Sequence, residues 1–167
     1  MKPIQVGLLG IGTVGSGTFQ VLQRNQAEIQ RRAGRAIDIT MVADLNVARA
    51  QSLVGAGVRV VGDAREVIAI ADSDIVVELI GGYGVARTLV LDAIAAGKHV
   101  VTANKALLAV HGTEIFAAAA AKGVMVAFEA AVAGGIPIIK SLREGLTANR
   151  IQWVAGIING TTNFILS

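Results

Sequence analysis

Glycines near the start of the chain have the spacing that accommodates a dinucleotide pyrophosphate. Gly10, Gly12 and Gly15 form a Gly-x-Gly-x-x-Gly pattern that follows the apolar run Ile4–Leu9 and precedes a helical pattern. The first glycine allows a tight turn, the second lets the backbone approach the phosphates, and the third lets the helix pack against the strand. The free N–H groups at the helix N-terminus attract the anion. The flanking segments therefore favour dinucleotide binding over an ordinary glycine-rich turn.

Asp44 follows the second apolar run, Ile37–Ala43, where dinucleotide-binding folds place a carboxylate on the adenosine ribose. A carboxylate there accepts hydrogen bonds from a free 2′-hydroxyl and repels a 2′-phosphate, which favours NAD over NADP. Arg49, one turn further on, carries the charge to neutralise such a phosphate, so the predicted preference is modest. The alternative is that Asp44 only caps the short helix that follows it.

Lys105 is a cation at the carboxyl end of a predicted strand, directly after residues 100–104. Ligands of open α/β sheets bind at this end of the strands, so Lys105 is placed to position a nicotinamide or the carbonyl group that is reduced. An ordinary solvated lysine in the first turn of a helix explains the residue equally well.

Three other titratable residues stand in apolar surroundings. His99 lies in a strand-like run, and His111 precedes Gly112 near a predicted helix end. Neither has an obvious carboxylate beside it, so a structural role is expected for both. Glu78 lies in an apolar strand, where a carboxylate is costly to bury alone, so it is either at the exposed end of the strand or paired.

The composition indicates one aliphatic domain. Of the 167 residues, 53% are hydrophobic and only 4% aromatic, which suits a parallel sheet buried on both faces. The net charge is +3 and the basic residues are scattered, so we expect no nucleic-acid partner. The absence of cysteine excludes disulfides, thiolate metal sites and a cysteine nucleophile. Without a signal-like leader or a membrane-length apolar stretch, we expect a soluble, cytoplasmic protein with no membrane partner.

Strand-like and helical segments alternate along the chain, which predicts an α/β fold with a doubly wound, mostly parallel Rossmann-type sheet. Strands are predicted at residues 4–9, 37–43, 58–61, 75–80, 98–102 and 124–128. Helices are predicted at residues 14–33, 47–53, 64–71, 85–96, 105–109 and 113–122, with Asp63 as an N-cap and Gly97 and Gly123 as helix ends.

The chain changes character after Phe128. Residues 130–135 are small, Pro137 is suited to start a helix, and residues 151–158 have the pattern of a strand. We expect residues 1–150 to form a nucleotide-binding domain and residues 151–167 to begin a second, substrate-binding domain. Because the sequence stops where another apolar segment begins, we expect it to be a piece of a longer protein.

Four blocks of the sequence resemble homoserine dehydrogenases. They are VGLLGIGTVG at residues 6–15, VTANKALLA at 101–109, FEAAVAGGIPII at 128–139 and GIINGTTNFIL at 156–166. The first block is common to Rossmann domains, whereas the other three are specific to this family. Together they span the chain in the family's order.

The resemblance implies an NAD(P)-dependent oxidoreductase that interconverts aspartate 4-semialdehyde and homoserine, on the route to threonine and methionine. It implies that the cofactor lies on Gly10, Ile11, Gly12, Thr13, Val14 and Gly15. Thr102 and Lys105 would stand beside the nicotinamide, with Lys105 as the catalytic candidate. We expect the complete enzyme to be a homodimer.

The resemblance also implies a monovalent cation, usually sodium, at Glu129, Val132, Gly134 and Ile136. Hard cations prefer oxygen ligands, and a turn of small residues can aim its carbonyl groups inward. A tight hinge turn without an ion is the alternative.

One departure from the family affects activity. The family's acidic substrate-binding residues and its proton-donating lysine lie in a second domain, after the segment that matches residues 159–163, and this sequence stops there. Hydride transfer requires cofactor, substrate and proton donor to be held together. We therefore expect the 167 residues to bind nucleotide and to catalyse little.

Two other functions fit part of the pattern. Sugar and imino-acid reductases also have a lysine after a central strand, but their acidic-Lys-Pro motif is replaced here by Asn104-Lys105-Ala106. A non-catalytic NAD-sensing module would explain a separate Rossmann domain, but it would not require the blocks at residues 129–137 and 159–163.

Overall fold

A computed structural model describes residues 2–156 and places six parallel strands in one sheet. The strands are β1 (Ile4–Leu9), β2 (Ile37–Ala43), β3 (Arg59–Val61), β4 (Ile75–Glu78), β5 (His99–Thr102) and β6 (Val126–Ala127). Their order across the sheet is β3-β2-β1-β4-β5-β6, so the direction of winding reverses between β1 and β4. In open α/β sheets this switch point opens a crevice at the carboxyl ends of the strands.

Helices connect the strands and cover both faces of the sheet. They are α1 (Thr13–Arg24), α2 (Gln26–Ala33), α3 (Val47–Val54), α4 (Ala64–Ala69), α5 (Gly84–Ala95), α6 (Lys105–Lys122) and α7 (Ile138–Lys140). A 3-10 turn at Glu129–Ala131 precedes α7, and a π-helical turn at Ser141–Gly145 follows it. Within residues 2–156, none of the helices has both the length and the apolar character needed to cross a lipid bilayer.

Buried aliphatic side chains form a core on each face of the sheet. On one face, Leu8 belongs to a cluster with Phe19 of α1. On the other face, Leu9 belongs to a larger cluster with Val90 of α5 and Ile115 of α6. Neighbouring residues of a strand point to opposite faces, so the continuous aliphatic runs follow from burial on both sides. The predicted doubly wound parallel fold is confirmed.

The first predicted helix is divided in two. Asn25, with φ −103° and ψ 17°, leaves the helical conformation between α1 and α2. A short polar side chain competes with the backbone for hydrogen bonds, which makes asparagine a weak helix former in the middle of a long segment. The prediction of one uninterrupted helix over residues 14–33 is wrong at this residue.

The two helices predicted at residues 105–109 and 113–122 are one continuous helix, α6. Gly112 lies buried inside it and does not end it. A helical glycine costs about 1 kcal/mol relative to alanine, and the alanine-rich second half of α6 outweighs that cost. His111 therefore lies in the body of the helix and not near its end.

Residues 151–156 have no regular secondary structure, so the predicted strand is wrong over this range. Trp153 is 78% exposed, and within the described chain no neighbouring strand pairs with this segment. A strand needs such a partner to satisfy its backbone groups. The last two residues of the predicted strand, 157 and 158, lie outside the described residues.

Candidate functional site

The loops after β1, β2, β4 and β5 meet at one edge of the sheet, because the carboxyl ends of parallel strands lie together. Gly10 N–H donates to the carbonyl of Ala43, and Leu79 N–H donates to the carbonyl of Leu9, at 2.8 and 2.9 Å. The glycine-rich loop is thereby joined to the ends of both neighbouring strands. This edge holds most of the residues that the sequence singles out.

Two glycines of this loop are required by close packing. Gly10 has φ +90°, and a Cβ there would lie 2.9 Å from the carbonyl oxygen of Leu79. At Gly15 a Cβ would lie 2.2 Å from the carbonyl oxygen of Gly10, because α1 packs directly against the turn. Larger residues at either position would displace backbone. The structure thus confirms the tight turn and the close helix packing predicted from the spacing.

Gly12 has different surroundings. Among the described residues no heavy atom lies within 4 Å of a Cβ built at this position. Its φ of −66° is open to any residue, so glycine is required here neither by the fold nor by backbone strain. The open space lies directly in front of the N-terminus of α1, where a ligand's phosphate would approach the N–H groups.

The helices that follow the strands differ in how their N-termini are capped. Side chains cap three of them: Asn46 caps α3, Asp63 caps α4 and Asn104 caps α6. Within residues 2–156 no side chain caps α1 or α5, the two helices that follow the strands at the switch point. Uncapped N–H groups and the positive ends of two helix dipoles therefore face the crevice.

Asp44 lies at the end of β2 and contacts the glycine-rich loop. Its Oδ2 accepts a hydrogen bond from the N–H of Ile11, and its Oδ1 accepts one from the N–H of Asn46, both at 2.9 Å. Asn46 and not Asp44 caps α3, so the interpretation of Asp44 as the helix cap is wrong. Each carboxylate oxygen has a further lone pair and can accept a second hydrogen bond.

Glu78, the last residue of β4, is fully buried beside Thr102, the last residue of β5. The Thr102 hydroxyl donates to Oε2 of Glu78 at 2.6 Å, and Ile80 N–H donates to Oε1 at 2.9 Å. Gly81 N–H adds a longer hydrogen bond to Oε1. The expectation that Glu78 is exposed at the end of its strand is therefore wrong, and its carboxylate has hydrogen-bond partners instead.

Asn104 connects this buried pair to the loops around it. Its backbone N–H donates to the Thr102 hydroxyl at 3.0 Å, and its side-chain amide donates to the carbonyl of Gly82. Its side-chain oxygen accepts from Leu107 N–H and so begins α6. Thr102 is itself completely buried and its hydroxyl is engaged by Glu78 and Asn104.

Lys105 is the exposed first residue of α6. Among the described residues its ammonium group has no hydrogen bond or ion pair, in contrast to Lys98, whose Nζ donates to three carbonyl oxygens. A cation at a helix N-terminus opposes the helix dipole, so the fold gains nothing from its charge there.

The two histidines have structural contacts. Nδ1 of His99 accepts from Met125 N–H at 3.0 Å, and Nδ1 of His111 lies 3.9 Å from Oε2 of Glu114. Glu114 is therefore a nearby carboxylate, contrary to the expectation for His111. Arg87 of α5 also binds Glu114 through two hydrogen bonds, and this guanidinium lowers the pKa of the Glu114 carboxyl below its usual range.

The segment proposed for a cation is a turn of unusual conformation. Ala133 and Gly134 both have positive φ, at 55° and 60°. The Glu129 carboxylate accepts the N–H groups of Ile139 and Lys140, both at 2.9 Å, and thereby anchors α7. No group of three or more His, Cys, Asp or Glu side chains suited to a metal occurs in the described part of the chain.

Backbone carbonyls of this turn are the remaining oxygen donors. The carbonyls of Glu129 and Ile136 accept hydrogen bonds from Val132 N–H and Ile138 N–H. Within the described residues, those of Val132 and Gly134 accept none. A set of neutral carbonyl oxygens fits a hard monovalent cation better than it fits a transition metal.

Sequence patterns and structure agree in bringing the glycine-rich loop, Asp44, Thr102 and Lys105 to one edge of the sheet. The sequence did not predict the hydrogen bonds that connect them. These are the bond from Ile11 N–H to Asp44 and the bonds by which Asn104 joins the loops after β4 and β5. A signal for Asn104 was present, since it is a polar residue two positions after a buried strand and directly before a helix. Glu129 and Gly134 belong to a separate turn after β6.

Comparison with known families gives two matches along the chain. Residues 10–129 match the model described as homoserine dehydrogenase, NAD binding domain. Residues 137–167 match the model described as homoserine dehydrogenase. The first match includes the glycine-rich loop, Asp44, Thr102 and Lys105.

Relatives match over the whole chain. A homoserine dehydrogenase of Pseudomonas aeruginosa is 61% identical over 100% of this chain and 38% of its own length. One of Neisseria gonorrhoeae is 58% identical, with the same two coverages of 100% and 38%. The chain therefore spans about 38% of the length of these relatives.

A solved structure gives the same result in three dimensions. The crystal structure of a homoserine dehydrogenase from Thiobacillus denitrificans has a TM-score of 0.92 and 66% sequence identity to this chain. The match covers 99% of this chain and 38% of that one.

Proposed function

The chain belongs to the homoserine dehydrogenase family, and from that premise we propose that it forms the nucleotide-binding part of such an enzyme. The observation that supports this best is the open face of Gly12 at the uncapped N-terminus of α1, between packed glycines on either side. An NAD(P) pyrophosphate fits this position, because it needs close backbone approach and unpaired N–H donors. The family model for the NAD-binding domain covers the same loop.

We propose that Gly10, Ile11, Gly12, Thr13, Val14 and Gly15 hold the pyrophosphate and that Asp44 binds the adenosine ribose. The carboxylate of Asp44 is half-buried at the end of β2 and keeps free lone pairs. Arg49 is exposed on α3, without a side-chain partner among the described residues, and is a candidate for contact with a 2′-phosphate. Because the carboxylate is anchored and Arg49 is not, we infer that NAD(H) binds at least as well as NADP(H).

The nicotinamide end of the site lies, in this proposal, at the loop after β5. Thr102 would lie beside the nicotinamide as a buried support of this loop, and the Lys105 ammonium would contribute a positive charge with no partner among the described residues. The nicotinamide, when bound, supplies or accepts a hydride. Lys105 would orient the reacting carbonyl group and stabilise negative charge that develops on its oxygen.

We propose that the whole protein interconverts L-homoserine and L-aspartate 4-semialdehyde. The substrate and the proton donor would be held by the part of the relatives' length that this chain does not span. We place the domain division at residue 150, with a nucleotide-binding unit of residues 1–150 and a second unit that begins at 151–167. A homodimer working in the cytoplasm remains our proposal for the complete enzyme.

We also propose that the turn after β6 binds a monovalent cation such as sodium. The carbonyl groups of Glu129, Val132, Gly134 and Ile136 would supply the ligands. The Glu129 carboxylate would hold the turn from behind, because both of its oxygens already anchor α7. The positive φ values at Ala133 and Gly134 are consistent with a turn that directs its carbonyl groups inward.

Titration of the purified 167-residue chain tests the proposal. We expect saturable binding of NADH and NADPH, followed by nicotinamide fluorescence, with NADH at least as tight. With homoserine and saturating NAD⁺ we expect no measurable reduction of the cofactor. Failure to bind either nucleotide would overturn the cofactor site, and robust turnover would place the missing catalytic groups within this chain.

A further inference from the structure

We propose that Glu78 is a positioning residue for the nicotinamide end of the cofactor site. Its buried carboxylate would fix the loop that carries Lys105 relative to the loop after β4. This inference rests on the proposed function, because it assumes that the cofactor lies along this edge of the sheet.

Burial of the Glu78 carboxylate is unfavourable for the stability of the fold, which is the first argument for a functional role. Its side chain is 0% exposed, and among the described residues it has no Lys, Arg or His partner. A buried carboxylate without a cation loses its hydration and is compensated only by hydrogen bonds. The neighbouring positions of β4, Val76 and Val77, show that aliphatic residues fill this sheet well.

The second support is that the two carboxylate oxygens hold different loops. Oε1 accepts N–H groups of Ile80 and Gly81, in the loop that follows β4. Oε2 accepts the hydroxyl of Thr102, at the start of the loop that follows β5. Glu78 and Thr102 are register partners in the adjacent parallel strands β4 and β5. One carboxylate therefore connects the place where the loop after β4 begins with the place where the loop after β5 begins.

The third support is a short path from Glu78 to the start of α6. The Thr102 hydroxyl donates to Glu78 and accepts from Asn104 N–H, so its orientation is fixed from both sides. Asn104 then bonds Gly82 in the β4 loop and caps α6, whose first residue is Lys105. Loss of the Glu78 acceptor would release the hydroxyl and with it the Asn104 backbone.

The opposite end of the site has its own anchor. Asp44 holds the glycine-rich loop through Ile11 and, within residues 2–156, shares no hydrogen bond with Glu78, Thr102 or Asn104. A defect in that network should therefore affect the nicotinamide half of a bound dinucleotide and spare the ADP-ribose half. A general loss of stability would weaken the binding of both halves of the dinucleotide together. This difference distinguishes a positioning role of Glu78 from a purely structural one.

The experiment compares Thr102→Val with Thr102→Ser in the 167-residue chain. Valine has the shape of threonine without the hydroxyl, whereas serine keeps the hydroxyl. Calorimetry measures the affinity for NADH and for ADP-ribose, which lacks the nicotinamide. We expect Thr102→Val to weaken NADH binding roughly tenfold and ADP-ribose binding less than about twofold, because a buried acceptor loses its donor at one end of the site only. Thr102→Ser keeps the hydroxyl that donates to Glu78 and should therefore recover most of the NADH affinity that Thr102→Val loses.

Glu78→Gln provides a second variant if Thr102→Val does not fold. Its side-chain oxygen can still accept from Ile80 and Gly81, while its amide group would donate to the Thr102 oxygen and leave the buried hydroxyl proton without an acceptor, so the same selective loss of NADH affinity is expected. Equal weakening of NADH and ADP-ribose, or no weakening of either, would overturn the positioning role while leaving the cofactor site intact. If the unmodified chain bound neither nucleotide, the proposed function would fail, and this inference with it.

Discussion

The carboxylate of Asp44 accepts a 2.9 Å hydrogen bond from the backbone N–H of Ile11, which joins the end of β2 to the glycine-rich loop. The residue proposed for the adenosine ribose therefore also shapes the loop proposed for the pyrophosphate. Asn46 N–H, at 2.9 Å from the other oxygen, fixes the carboxylate from the opposite side. In the proposed function, cofactor preference and the conformation of the loop would therefore depend on one side chain.

Asp44→Asn should shift the cofactor preference toward NADPH. Asparagine keeps one acceptor oxygen but removes the negative charge that opposes a 2′-phosphate. We expect the ratio of NADPH to NADH affinity to rise by about fivefold, which corresponds to about 1 kcal/mol of repulsion in a hydrated crevice. Asp38→Asn is the matched control, since Asp38 lies at the other end of β2. An unchanged ratio in Asp44→Asn would show that this carboxylate does not face the ribose.

Lys105→Ala should impair catalysis in a complete enzyme that contains this sequence, without weakening the fold. The ammonium group is exposed and opposes the dipole of α6, so the melting temperature should stay level or rise slightly. Loss of a charge that positions the reacting groups should cost a few kcal/mol of transition-state stabilisation, roughly 10²-fold or more in kcat.

Lys122→Ala controls for the loss of a lysine from the same helix, since Lys122 ends α6 far from the crevice. kcat, KM and melting temperature are measured together for both variants. Near-normal turnover in Lys105→Ala, or a large loss of stability, would show that Lys105 is a structural residue.

The elements that the sequence predicts well are those marked by local signals. β1 and β2 have the predicted ends, and Asp63 and Gly123 begin and end their helices as expected. Each of these signals depends only on residues close by in the chain. Asn25 and Gly112 show the limit of such signals, because polar and small residues break a helix in one context and are tolerated in another.

The connections within the site depend on contacts distant in the chain. Glu78 and Thr102 are separated by 24 residues, and Asp44 and Ile11 by 33. Their pairing follows from strand order and register, which periodicity alone does not specify. The hydrogen bond between Glu78 and Thr102 could therefore not be predicted from the sequence. The pair of His111 and Glu114 was missed because the predicted break between residues 109 and 113 placed His111 outside the helix that contains Glu114.

Lys98→Met should destabilise the fold while leaving cofactor binding unchanged. Lys98 is 7% exposed, and its ammonium group donates to the carbonyls of Ile70, Ala71 and Ser73 at 2.7, 3.0 and 2.7 Å. These carbonyls lie after α4, at the edge of the sheet opposite the crevice. Loss of the donor should lower the free energy of unfolding by about 2–3 kcal/mol, measured by urea denaturation.

Lys2→Met is the matched control for Lys98→Met. Lys2 forms an exposed ion pair with Asp72, and such pairs contribute less than about 1 kcal/mol. Equal changes in the free energy of unfolding for the two substitutions would contradict the inference that the buried Lys98 ammonium stabilises the fold through its three hydrogen bonds.

The ion pair between Arg87 and Glu114 should make a small, pH-dependent contribution to stability. Hydrogen bonds from Arg87 lower the pKa of Glu114, with His111 as a further positive neighbour when protonated. A carboxyl with a lowered pKa in the folded state stabilises the fold above its unfolded pKa, and this contribution is lost as the pH falls through the folded pKa.

The melting temperature of the unmodified chain should therefore exceed that of Glu114→Gln slightly at neutral pH. The difference should disappear in the acid range, below the usual glutamate pKa of about 4.3. In an Arg87→Met background Glu114→Gln should have little effect at any pH. A difference that persists in acid would contradict the charge-based explanation.

We propose above all that the glycine-rich loop of this chain binds a dinucleotide, and titration of Gly12→Val with NADH tests this claim most directly. The open space in front of Gly12 and its φ of −66° let valine fit without strain, so the variant should fold like the unmodified chain. Gly17→Val is the control, because Gly17 lies on the same helix and also has no described atom within 4 Å of a built Cβ. We predict that Gly12→Val loses NADH binding while Gly17→Val retains it; undiminished binding by folded Gly12→Val would contradict the claim.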